Sequence, residues 1–586
     1  MKLSRRELLA LAAAAKVAAQ QTGQPEDLIL RAMREELERA KTLALPDQEK
    51  PYYIELALDD TTSFNCSCSL GALIASGPSR QRVPRVHIRV GSPEFDNTNY
   101  VFSQFFGSRS AGGRVPLEDN EATIRREFWL ATDAAYKGAV EAISNKRAAL
   151  RNITQQEVIK DFAAAPPARH IEPVKRAGVD ETAWTARTRR VSKVFAGYPE
   201  ILNSQVDFGA NSSITYMVTS EGTVVRMADD LYSMRVRAGA QAADGMPVRD
   251  GVVFSARNIG EMAAEPEMVK QAEEVAANVR ALLKAPAGED YSGPALFESI
   301  AAPQLFAQLL GAPLGLIRKP VAQPGRPLPF QGSELEGRMG SRILPEWMDA
   351  VDDPTQETYK GHSLLGYYPV DMEGVKPTAL QVVEKGSLKH FLLSRQPVRG
   401  FEGSNGRGRL PSPFGGKMPA FSNLFIKASE ATPAGEMKKK LLELVQKRNL
   451  PYGLVIRKLD MPVMMSGEEI RALSQAASQR GATRIVSLPV LAYKVYPDGR
   501  EELVRGLRFR GVSSRSLRDI YAASDEEIFF DFVGQGGSLA SFSPSGYVTT
   551  HTVVSPAILF EDIELEKRTD DWPKLPLVPP PTFSGD

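Results

Sequence analysis

Near the middle of this chain, Ala285-Pro-Ala-Gly-Glu289 closes a run of helical character, Glu265–Lys284, and this break most restricts what the sequence can fold into. Proline lacks the N–H that a continuing helix needs, and glycine favours turns, so the run must end here. At 586 residues the chain is too long for one hydrophobic core, so two or more domains are expected. The break is the clearest place to divide residues 25–285 from 286–570.

Before the break the pattern mixes helix and strand. Asp27–Leu45 reads as an amphipathic helix with Leu30, Met33 and Leu37 on one stripe, ended by Pro46. Tyr52–Leu58, Ala72–Ala75 and Arg85–Val90 have strand character, the last alternating Val86, Ile88 and Val90 with polar residues. Asp119-Asn120 precedes a long helix to about Arg151, with Ile124, Phe128, Ala131, Tyr136 and Val140 on its apolar stripe. Residues 163–169 read as a loop, Glu181–Tyr198 as a helix, and Ser204–Gly239 as a strand series. After the break, 293–310 reads as a helix and 314–332 as a Pro/Gly-rich loop. Residues 379–393 read as a hairpin around Glu384-Lys-Gly386, and 492–504 as a second one around Pro497-Asp-Gly499. Gly435–Arg448 and Ser466–Arg480 read as helices, and 571–586 as a Pro-rich extended tail.

Composition removes several classes of function. Lys+Arg 72 against Asp+Glu 71 leaves a net charge of +1, which gives no whole-chain reason to expect nucleic acid. No run of about 18 apolar residues suggests a membrane span. The start differs from the rest: Ser4-Arg5-Arg6, then Leu8-Leu9 and an apolar stretch to Ala15, resembles a twin-arginine export signal over residues 1–24. It implies a periplasmic or exported protein, and an ordinary surface helix with a cytoplasmic protein is the alternative. The only cysteines, Cys66 and Cys68, fall on one face of a strand and read as small buried side chains.

A set of segments after residue 290 points to a family. Gly293–Leu310 resembles the helix on which TldD/PmbA-family metallopeptidases carry a His-Glu-x-x-x-His zinc motif. Phe297 and Ala302 stand where its histidines would fall, flanking Glu298, and no register of 290–315 restores a histidine or cysteine pair. Gly366–Gly374 matches the family's Asp-x-Glu-Gly turn at Asp371 and Glu373. Ser404-Asn-Gly-Arg-Gly-Arg409 is similar to its Ser-x-Gly-His-x-Arg loop, with Arg407 at the histidine. Ile343–Trp347 and Val554–Leu565 resemble further family segments, and Trp129–Tyr136 a looser N-terminal one.

The resemblance implies an α+β protein of two domains: an N-terminal mixed α/β domain, and a β-rich C-terminal domain with flanking helices. In this family one kind of subunit carries the zinc helix and a cysteine from its C-terminal half. A second kind keeps the fold without metal ligands and pairs with the first. With both helix histidines absent and no cysteine after residue 68, this chain looks like the second kind. The resemblance then implies a catalytically silent subunit that binds no cofactor and holds extended peptide. It would form a homodimer, or a heterodimer with a TldD-like subunit. Two alternatives stay open: a zinc metallopeptidase with ligands such as His362 and His390, and a non-enzymatic envelope binding or assembly protein whose cleft is filled by Phe297 and Phe306.

The remaining chemistry is sparse. No two of His87, His170, His362, His390 and His551 share a helical i, i+4 spacing. His362 is the best single candidate, being close in sequence to Asp371 and Glu373. Without a metal beside it, Glu298 reads as a surface or capping carboxylate. Ser541, Ser543 and Ser545 near His551 lack a Gly-x-Ser-x-Gly elbow, and Gly534-Gln-Gly-Gly537 lacks the lysine of a phosphate loop.

Overall fold

The computed structural model describes residues 27–101, 115–151, 159–173, 176, 178–322, 330, 332–411, 416–461, 486–534 and 549–572. The export-type signal, the expected helix Ser466–Arg480, Ser541, Ser543, Ser545, residues 535–537 and the tail beyond Trp572 lie outside these residues.

The N-terminal half is built on a sheet of very long strands. β1 (Pro51–Ser69) and β2 (Ala72–Val90) form one hairpin whose turn places Leu70 and Gly71 at φ 51° and 84°. β3 (Asn203–Thr219) pairs with β1, and β4 (Val224–Gln241) with β3. β5 (Pro247–Ala256) and the short strand Arg169–Ile171 both join β4. Helices α1 (Leu28–Ala40), α2 (Glu121–Leu150), α3 (Glu181–Lys193) and α4 (Glu265–Lys284) cover this sheet. The first three start at acid or amide caps: Asp27, Asn120 and Asp180 each accept a bond from a backbone N–H of the first turn.

Alternation along β1 explains how one strand serves two helix pairs. Ile54, Leu56 and Leu58 enter the core under α1 and α2, while Phe64, Cys66 and Cys68 enter the core under α3 and α4. The intervening Thr61, Ser63, Asn65 and Ser67 sit on the other face, so the polar stretch continues the pleat. The short strands expected at 52–58, 72–75 and 85–90 are therefore parts of two 19-residue strands. Cys66 and Cys68 share a face as read, with their sulfurs 3.8 Å apart and buried.

In the C-terminal half, β6 (Tyr291–Phe297) runs parallel to Gly453–Leu459 and antiparallel to Ile558–Lys567 within a seven-stranded sheet. Leu296 faces helix α6 (Ala434–Lys447), while Ala295 and Phe297 face the opposite core. A second sheet, with Met348–Asp352, Asn423–Ala428 and Thr549–Ser555 at its centre, shares that core. Between the sheets lie α5 (Ala301–Phe306) and the π-helical turn Ala307–Gly311. Both are apolar but for Gln304 and Gln308, whose amides bond to the backbone of Leu459 and Ser487, because most of their side chains are buried.

This corrects the single helix expected over 293–310. Residues 293–297 are strand, Ser299 turns the chain at φ 53°, and the helix begins only at Ala301. Pro303 is the physical reason. Its ring clashes with the carbonyl four residues earlier, so it is accepted in the first turn of a helix but not inside a longer one.

The hairpin expected over 379–393 forms around Lys385 at φ 46° and Gly386 at φ 72°, but its second strand is only Ser387–Leu388. A Cβ at Gly386 would stand 2.4 Å from the Leu344 carbonyl oxygen and 2.7 Å from that of Pro345. Gly386→Ala should therefore lower stability by about 2 kcal/mol or more, seen as a lower urea midpoint at unchanged slope. An unchanged midpoint would mean the turn does not pack beneath residues 344 and 345.

Candidate functional site

Phe297 ends β6 with no solvent exposure, edge-on to Phe560 at 5.5 Å and stacked with Phe509 at 5.9 Å. Ala302 is equally buried in α5. Glu298, between them in the chain, is half-buried and accepts a bond from Arg457 Nε at 2.7 Å, and Arg457 also grips Glu501. Zinc takes imidazole, thiolate or carboxylate ligands at about 2.0–2.3 Å. A phenyl ring, a methyl group and one carboxylate already paired with arginine do not fit that metal.

The histidines are held apart, each by its own partner. His362 lies not with Asp371 and Glu373 but against Asp531, Nε2 to Oδ2 2.6 Å, and Thr552 donates to the other oxygen of Asp531. That hydrogen bond raises the His362 pKa against the cost of partial burial. His390 Nδ1 meets the Gln381 carbonyl at 2.8 Å, and His170 meets Glu172. His551 packs between Phe421 and Phe532. His87 is pushed down to about 3 by burial and then by Arg89 and Lys417. Among the described residues, no group of three or more His, Cys, Asp or Glu side chains is arranged to hold a metal ion.

What does converge is a buried polar seam between the two halves. Asp371 Oδ1 accepts the backbone N–H of Glu373 and Val375, and Oδ2 accepts that of Gly408. Glu373 Oε2 accepts the N–H of Arg395 at 2.6 Å. The Arg395 guanidinium makes a two-pronged contact with Glu221, at 2.8 Å on each arm, donates to the Ala163 carbonyl, and lies 4.0 Å over the Phe162 ring. Beside it, Lys417 reaches across to Glu55 on β1, which also accepts from the Tyr53 hydroxyl. Arg89 on β2 pairs with Asp96 at 2.6 Å and covers the other side of Phe162 at 3.8 Å. Arg407 is fully buried, holding Asp352 and the carbonyls of Asn405 and Thr378, so it pins its loop and does not line a cleft.

The charges in the seam are set by burial and pairing. Burial disfavours ionisation of Glu55, but Lys417, His87 and Arg85 outweigh it and hold that carboxyl at about 2. Burial raises Asp371, although three backbone N–H groups favour its ionised form. Burial and then the neighbouring Asp371 raise Glu373, which is the member of the pair that keeps a proton. Both carboxyls are almost wholly buried, so they join the halves and do not face a substrate.

Sequence reasoning singled out Asp371, Glu373 and Arg407 but missed Arg395, Glu221, Glu55 and Lys417. One signal was available. Glu55 and Asp59 on β1 face His87 and Arg85 on β2 on the non-helical side of the sheet, and Glu55 and His87 are register partners. A charged strand face of this kind reads as solvated until something is shown to cover it.

Residues 294–567 match the family model described as the PmbA/TldA metallopeptidase C-terminal domain. A protein named a metalloprotease from Methanothermobacter thermautotrophicus is 26% identical over 205 residues, covering 33% of this chain and 40% of that protein. Another of that name from Archaeoglobus fulgidus is 35% identical over 75 residues, covering 13% of this chain and 16% of that protein. The chain thus aligns with less than half the length of either relative. The crystal structure of TldE from Thermococcus kodakarensis superposes with a TM-score of 0.52 at 13% identity, covering 91% of this chain and 99% of that one. It matches this α+β fold with its β-rich C-terminal half.

The raised Glu373 carboxyl makes a signed prediction. Above the ordinary glutamate value of 4.5 the unfolded chain releases a proton that the folded chain keeps, so this group costs stability as pH rises. Glu373→Gln retains an acceptor for the Arg395 N–H and removes that cost. Unfolding free energies measured from pH 4 to 8 should shift progressively in the variant's favour, by at most about 1.4 kcal/mol per pH unit. A variant that instead loses ground as pH rises would mean that Glu373 is ionised in the folded protein.

Proposed function

This chain belongs to the TldD/PmbA family, and from that premise we propose that it is a catalytically silent subunit that binds extended peptide. It pairs with itself or with an active metallopeptidase subunit and holds no zinc of its own. One observation carries this reading: Phe297 and Ala302, which the resemblance sets against the family's zinc histidines, are unexposed parts of an apolar core. A water on zinc is the nucleophile of a metallopeptidase, and this locus has neither room nor ligands for it.

β2 is an edge strand of the N-terminal sheet, and backbone groups at sheet edges can pair with extended peptide regardless of its sequence. The protein is exported to the periplasm through Ser4-Arg5-Arg6 and the apolar residues after them. A second reading, a non-enzymatic envelope binding or assembly protein, draws support from Phe297 and Phe306 both lying in closed core. The reading of an active zinc enzyme built on His362 and His390 is weakened, because each of them is engaged by a different partner.

The test combines metal content and hydrolysis. Purified protein, loaded with zinc and then dialysed, should retain far less than one zinc per chain by elemental analysis. It should not cleave an unfolded peptide in a chelator-sensitive way, yet should raise the anisotropy of that labelled peptide. One retained zinc per chain with chelator-sensitive cleavage would overturn the silent reading. No cleavage and no peptide binding would favour the assembly reading.

A further inference from the structure

Residues 334–343 and the short 3₁₀ turn Ser514–Asp519 face each other across a small cavity of about 10 Å³, well away from the seam. Four arginines line it: Arg338 and Arg342 from one side, Arg515 and Arg518 from the other. Arg342 has only Glu346 at 3.4 Å, and Arg518 only its neighbour Asp519 at 3.2 Å, both exposed pairs that contribute little. Arg338 and Arg515 have no ion pair or side-chain hydrogen bond among the described residues. The one acid in the lining, Glu334, accepts the backbone N–H of Ser514.

Ser514 supplies the second, independent observation. The residue is 3% exposed and lines the cavity, and its buried hydroxyl has no hydrogen-bond partner. A buried polar group left unmade costs about 1–3 kcal/mol, so natural structures seldom leave one without purpose. The same cavity is lined by four arginines and a single carboxylate.

We propose that this cavity is a binding site for a tetrahedral oxyanion, a phosphate or phosphomonoester. One oxygen would take the hydroxyl proton of Ser514, and the remaining oxygens would lie at the rim among the guanidinium forks. Planar guanidinium groups recognise such oxygens in pairs, and arginine keeps its charge at every working pH. A carboxylate, with two oxygens and one charge, satisfies fewer of these donors. The same chemistry is offered by a soluble phosphate and by the phosphomonoester headgroup of phosphatidic acid.

Calorimetric titration of the full chain with inorganic phosphate at constant ionic strength tests the site. The expected result is one site per chain, weakened about tenfold or more in Arg338→Gln and in Arg515→Gln, and several-fold in Ser514→Ala. Arg515 is exposed and Arg338 half-buried, so both variants should keep the parent's circular dichroism and urea midpoint. Arg515→Lys keeps the charge but loses the fork, and should bind between the parent and the glutamine variant. Co-sedimentation with phosphatidic acid vesicles, but not with phosphatidylcholine vesicles, would support the site with a lipid headgroup as ligand. Phosphate binding without co-sedimentation supports it with a soluble phosphate. Heats that sodium chloride reproduces, or an affinity unchanged in both arginine-to-glutamine variants, would overturn it.

Discussion

The two halves of this molecule meet across a set of buried and half-buried ion pairs, Lys417–Glu55, Arg249–Asp460 and Lys458–Asp250 among them, with the Arg395 guanidinium at its centre. Arg395 sits at the end of the 380–388 hairpin region, yet its side chain is spent on the N-terminal half: Glu221 beyond β3, the Ala163 carbonyl, and the face of Phe162. Its own N–H holds Glu373, and Asp371 holds the loop at Gly408. Each group in this chain of contacts is satisfied by the next. A buried pair of this kind often adds little net stability, but removing one member strands a charge and costs about 3–5 kcal/mol. The seam therefore fixes how the halves meet more than how tightly each half folds.

That arrangement separates what the sequence made legible from what it hid. Glu265–Lys284 forms over the residues read for it, because its stop at Ala285-Pro-Ala-Gly is local chemistry. The hairpin at Lys385-Gly386 and the helix started by Asn120 were readable for the same reason. Local signals failed where tertiary contact decides. The polar middle of β1 was not read as a continuation of the 52–58 strand, because the face it presents is decided by strands far away in sequence. Residues 293–310 looked like one helix because they resemble the family's zinc helix, and only Pro303 and the left-handed Ser299 betray the change from strand to helix.

The candidate site shows the same division. The apolar character of Phe297 and Ala302 was readable as residue types, and the Asp371-x-Glu373 turn as a motif. That His362 belongs to Asp531, 169 residues away, could not be read from spacing. Nor could the partners of Arg395, drawn from residues 163 and 221. Buried ion pairs between distant segments leave only isolated charges in a sequence, and an isolated charge reads as surface.

In this account the fold of a peptidase family is kept while apolar packing occupies the place of its chemistry. The most direct measurement is the equilibrium unfolding free energy of Phe297→Ala against the parent. If Phe297 is core, truncating it should cost about 3–5 kcal/mol. A cost below about 0.5 kcal/mol, typical of a surface position, would mean that this ring lines an open site, and would contradict the account.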